Sequence, residues 1–168
     1  MQRLTGASPQ VGFVYHKIMR DFGDFCAVIP PENVEVSQKS GDIFKRLLSE
    51  GNLVPCPAVL ARRECVEKAG GFDTGMCSLE DYDLALKMAR AYQAAFIDQV
   101  LLDSVLSGNS VSLQSENYLI SCCYLLQKYK ADYLRLDVLQ HRMELILREA
   151  EMVGMQEQIL KLMELSLR

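Results

Sequence analysis

The stretch from Gly70 to Arg90, GGFDTGMCSLEDYDLALKMAR, sets two glycines and a Phe-Asp pair ahead of an acidic run and an amphipathic segment. Leu79, Tyr82, Leu86 and Ala89 recur at intervals of three and four, which predicts a helix over 79–92. Ser78 precedes it in a Ser-x-x-Asp pattern, so its hydroxyl is expected to accept from the backbone N–H of Asp81. Glu80, Asp81 and Asp83 fall in the first turn, where carboxylates complement the helix dipole. By this reading alone the acidic pair is the start of a helix.

Upstream, QVGFVYHKI (10–18) has the β-branched and aromatic content of a strand, and FCAVIPP is a second extended piece stopped by its prolines. GDIFKRLLSEGN reads as a short helix with Ile43, Phe44, Leu47 and Leu48 on one face, closed at Gly51-Asn52. Pro55 and Pro57 exclude a regular strand before about Ala58, and RRECVEKAGG makes one or two helical turns ending at Gly70-Gly71. AAFIDQVLLDSVL is strand-like, and from about Ser115 the chain reads as helical throughout. The expected class is α/β or α+β, a few strands with covering helices followed by a helical C-terminal extension.

In that extension Leu136, Leu139, Met143, Ile146, Ala150 and Val153 lay a narrow apolar stripe before Gly154. It either packs back on its own domain, which is the favoured reading, or forms a subunit interface, making a homodimer through the C-terminal helices.

With 168 residues the chain fits one domain with a core of its own, and 49% hydrophobic and 24% charged residues are ordinary for a globular protein. No apolar run approaches the ~20 residues a membrane span requires. No signal-peptide core opens the sequence, so a cytoplasmic location is expected, with peripheral membrane association left open. A net charge of -4 argues against nucleic acid as the main partner. The six cysteines make no CxxC pair and only His16 and His141 could join them, so a reduced set of mostly buried thiols is expected rather than a zinc site. No G-x-S-x-G elbow or glycine-rich phosphate loop is present.

Gly70-Gly71-Phe72-Asp73, then Glu80-Asp81-Tyr82-Asp83-Leu84 with Lys87 or Arg90, resembles the C-terminal half of family 2 glycosyltransferases, enzymes of the A-type nucleotide-sugar fold. The likeness extends outward in order through Val11–Tyr15, Gly41–Phe44, Leu47-Leu48, Gly51-Asn52, Pro57–Leu60 and Arg62–Glu64. It implies that residues 1–112 form the acceptor-side half of such a catalytic domain and residues 113–168 a helical extension.

In that family an acceptor hydroxyl displaces a nucleoside diphosphate from the anomeric carbon, and a carboxylate takes the hydroxyl's proton. The resemblance carries the general base to Asp81, with Glu80 orienting the acceptor, and places Gly71, Asp73 and Arg62 toward the substrate. Asp73 is read as loop-shaping through nearby backbone N–H groups. Arg62 and Arg63 could touch a phosphate or acidic acceptor, although solvated helix-start charges are the simpler reading. Tyr82 and Leu84 are expected in the core, as are Cys122 and Cys123.

The sequence departs from the family in two ways. The Asp-x-Asp that holds Mg²⁺ or Mn²⁺ on the donor diphosphate is missing, since Asp81-Tyr82-Asp83 lies within a predicted helix where neighbouring side chains diverge. Ser104 and Leu106 stand where Arg and His are usual, before Ser107–Ser110. The resemblance therefore implies a nucleotide-sugar donor, a hydroxyl acceptor and Mg²⁺ or Mn²⁺ for the intact enzyme, no metal bound by this chain alone, and an inactive isolated chain. A second function class is a non-catalytic module that binds a partner or dimerises through its C-terminal helices.

Overall fold

A computed structural model describes residues 8–31, 39–105 and 114–167. It is a mixed α/β structure, with four strands in one sheet and seven α-helices among the described residues. The strands are β1 (Val11–Asp21), β2 (Cys26–Ile29), β3 (Val59–Ala61) and β4 (Gln93–Val105). The helices are α1 (Phe44–Glu50), α2 (Arg63–Ala69), α3 (Glu80–Ala91), α4 (Ser115–Lys128), α5 (Lys130–Arg135), α6 (Leu139–Met152) and α7 (Gln156–Ser166).

β1 organises the sheet because it is long enough to serve three partners. β4 runs parallel along one edge, from Val11 beside Gln93 to Asp21 beside Val105, with register shifts at three points. The other edge is shared by two short antiparallel strands: β3 pairs Phe13–Tyr15 and β2 pairs Ile18–Asp21. Phe13 and Tyr15 enter the main core, while Val14 is buried on the alternate side, as a period of two requires. The prolines act as expected. Pro30 follows the end of β2, and a 3₁₀ turn at Cys56–Ala58, preceded by Pro55, comes before β3 begins.

Gly12 marks the closest approach in the sheet. A Cβ placed there would lie 2.6 Å from Tyr92 Cβ and 2.8 Å from Cys65 Sγ. The Tyr92 Cβ, fixed to its own main chain, and a buried sulfur cannot both give way, so Gly12→Ala should cost about 1–3 kcal/mol through overpacking. Denaturant unfolding with an unchanged m-value measures this, and a loss under about 0.5 kcal/mol would contradict the packing.

The core runs through both halves of the chain. Ile43, Phe44, Leu47 and Leu48 of the α1 region meet Tyr82 and Leu86 of α3, and the same cluster takes in Leu119, Cys122, Leu126, Ile146 and Met163. Residues after 114 are helical as expected, yet they complete the core rather than hang from it. The apolar stripe packs inward accordingly, with Ile146 and Ala150 buried and Leu136, Leu139 and Met143 against the core. It is not one continuous helix. Asp137 takes a left-handed backbone (φ 55°), so Leu136 closes α5 and α6 starts at Leu139, while Val153 ends exposed.

The thiol expectation needs correction. Cys65, Cys122 and Cys123 are buried, but Cys26, Cys56 and Cys77 are exposed, because they sit on a strand start, a 3₁₀ turn and a loop rather than on an α-helix's inner face. Among the described residues no helix is long and apolar enough to cross a membrane.

Candidate active site

The start of α3 does not form as its sequence suggests. Leu79 is the cap residue, in a left-handed conformation (φ 62°), and no side-chain cap bond is made. Ser78 is buried and makes no cap bond, contrary to the role expected of it. The tight turn at Leu79 lets Asp83 N–H reach the Leu79 carbonyl at 3.0 Å. Tyr82, fully buried, donates its hydroxyl to the Leu47 carbonyl and so pins the first turn of α3 to α1.

That anchoring sets Asp81 in a cleft of about 370 Å³. Its walls come from β1 (Arg20), the turn after α1 (Glu50, Gly51, Asn52), the start of α3 (Ser78–Asp81) and α4 (Tyr118). Asp81 Oδ1 accepts from the Tyr82 backbone N–H at 2.7 Å and from Asn52 Nδ2 at 3.4 Å. Asn52 is fixed in turn, since its Oδ1 accepts from Val54 N–H at 3.1 Å. Burial outweighs these donors and raises the Asp81 pKa above the usual 3.8, with the Glu80 charge adding to the shift. Helix-start stabilisation therefore loses to desolvation here. A half-buried, oriented carboxylate with raised basicity, open to a cleft, can accept a proton from a bound hydroxyl.

Glu80 lies beside Asp81 on the same cleft and is exposed. The other residues singled out from sequence do not join them. Lys87 Nζ donates to the Gly71 carbonyl at 2.7 Å, holding the glycine turn on the flank of α3. Asp73 shapes its loop as expected, accepting from Gly75 N–H at 3.0 Å, and also binds Lys128 at 2.6 Å and Tyr124. The Lys128 bond, then the Gly75 bond, lower its pKa to about 2. Arg62 Nε donates to the Val11 carbonyl at 2.9 Å, tying the start of α2 to β1.

Cys56 adjoins the acidic pair, but burial and the charges of Asp81 and Glu80 raise its pKa, which disfavours a nucleophilic thiolate. Burial likewise lifts Cys122 to about 11 and Cys123 to about 12. A larger hollow of about 470 Å³ opens at the far end of α3; its charged residues are Asp42 and Arg90, and Arg90 is paired with Asp132.

Asp81 and Asp83 do not come together as a pair of ligands. Asp81 faces the cleft, whereas Asp83 points away and is paired with Lys87 and Lys128, each at 2.8 Å. Among the described residues no three His, Cys, Asp or Glu side chains gather to hold a metal ion. Leu106 to Ser110 lie outside the described residues, and Ser104 sits on β4 in register with Arg20.

Arg20, Asn52 and Tyr118 were not singled out from sequence. Gly51-Asn52 carried a usable signal as a helix stop, since the residue after such a stop is aimed by the turn. Arg20 and Tyr118 carried none, because only the sheet register and the packing of α4 bring them here. Compared with protein-family models, with curated proteins and with solved structures, the chain matches none.

Proposed function

We propose that this chain is the acceptor-side portion of an inverting, nucleotide-sugar-dependent glycosyltransferase, acting with a nucleotide-binding half that holds the donor. Asp81 is the general base. The observation that carries the reading is the placement of Asp81 in the cleft: oriented by Asn52 and the Tyr82 N–H, desolvated, and raised in basicity. The sequence resemblance independently selects the same residue.

In this mechanism the acceptor hydroxyl lies against Asp81, which takes its proton as the oxygen attacks the anomeric carbon. Glu80 accepts a second acceptor hydroxyl and fixes the approach, and the cleft walls exclude water that would otherwise compete. Attack on the face opposite the leaving nucleotide inverts the anomeric centre, because one carboxylate serves as base and none as nucleophile. Transfer by the enzyme containing both halves, followed by NMR of the product linkage, should give inverted configuration. Retention, or absence of nucleotide-sugar-dependent transfer, would overturn the assignment.

A further inference from the structure

The cleft carries three carboxylates, Glu50, Glu80 and Asp81, but among its described lining residues a single cation, Arg20. Among the described residues Arg20 Nε is buried and has no hydrogen-bond partner. Glu50, on the same cleft, is already engaged by Arg46 at 3.1 Å. Arg20 sits near the end of β1 between two small residues in register, Ala27 on β2 and Ser104 on β4, which leaves the long side chain room along the strand.

A buried guanidinium nitrogen without an acceptor is costly, and folded proteins nearly always satisfy such groups with protein, water or ligand. The fork of an arginine matches an oxyanion in two-point geometry better than any other partner. Asp81 and Glu80, on another wall of the same cleft, suit hydroxyl groups and repel anions. A ligand bound across the cleft is thus hydroxylated at one end and anionic at the other, and the volume of about 370 Å³ is that of a small-molecule pocket.

We propose that Arg20 is an anion-recognition residue, and that the cleft selects an acceptor carrying a phosphate or carboxylate group in addition to the attacked hydroxyl. The choice of acceptor rests on the transferase reading, whereas the anion subsite does not.

Calorimetric titration of the chain with glucose 1-phosphate, glucuronate and methyl glucoside separates the cases. One of the two anionic probes should bind at least about tenfold tighter than the neutral glucoside, as expected for a charge-assisted bidentate contact, and the tighter one identifies phosphate or carboxylate. Arg20→Gln should remove that preference while leaving binding of the neutral probe unchanged and the melting temperature no lower, and Arg20→Lys should restore part of the preference. Equal binding of all three probes, a preference that survives Arg20→Gln, or binding of none of them overturns the proposal. Failure of the transferase reading would instead appear as transfer indifferent to Asp81, with these titrations unaffected.

Discussion

Asp81→Asn should lower transfer by the enzyme containing both halves about 10²–10⁴-fold, the usual contribution of a positioned base, and at the same time raise the melting temperature of the fold. The two effects have one cause. Burial raises the Asp81 pKa above 3.8, so the folded state penalises the charged carboxylate. A raised folded pKa means that the stabilising contribution is fully present below the unfolded pKa and is lost as pH rises through the folded one. At pH 7 the ionised Asp81 is therefore a cost that asparagine removes, keeping a carbonyl oxygen to accept from Tyr82 N–H and Asn52. At acid pH the wild-type group is itself neutral, and the difference in melting temperature should vanish. The same shift governs the rate: the acid limb of kcat/KM should lie above the ordinary aspartate value of 3.8 and disappear from the residual rate of Asp81→Asn. A variant that melts several degrees lower at pH 7 would show Asp81 to be a structural carboxylate instead.

Most elements were legible because their signals are local. The stop at Gly51, the prolines before β3 and the three-four spacing of α3 each act within one or two turns, and each element forms within a few residues of where its signal lies. What escaped depends on contacts between distant segments or on one backbone angle. Ser78 has the sequence of a cap, but the left-handed turn at Leu79 redirects it. The stripe from Leu136 to Val153 is periodic straight through Asp137, where the chain breaks its helix. Asp81 could be singled out by pattern, yet its basicity follows from burial against segments that the local sequence does not specify. Arg20 became visible only when β1 was paired with β2 and β4.

The largest expected loss of stability comes from Asp83, two residues from the proposed base and facing the opposite way. Its carboxylate is fully buried and takes Lys87 and Lys128, each at 2.8 Å, and the Tyr129 hydroxyl at 2.9 Å. Lys128 continues to Asp73 at 2.6 Å, so one carboxylate joins α3, the Gly-Gly-Phe-Asp loop and α4. Asp83→Ala leaves two ammonium groups facing one another over a void and the buried Tyr129 hydroxyl with only the residue 83 carbonyl, at 3.5 Å, to accept from it. Removing one partner of a buried pair typically costs about 3–5 kcal/mol. Here both lysines keep 21% and 27% of their side chains in solvent, which reduces the expectation to about 2–4 kcal/mol. For a chain of this size that is a fall of roughly 4–16 °C in melting temperature. Asp83→Asn, which keeps an acceptor for Tyr129 but not the charge, should fall between the two. Adding Lys87→Met to Asp83→Ala should recover part of the loss, since Lys128 keeps Asp73 as its counter-charge whereas Lys87 has lost the carboxylate it was paired with. Asp73 responds differently to acid: its lowered pKa contributes stability above about 4 that is lost as pH falls toward 2, whereas the Asp83→Ala deficit persists at neutral pH. If Asp83→Ala melts within about 2 °C of wild type, the ion pairs do not hold α4 to α3, and the packing of Tyr129 and Leu126 must do so alone.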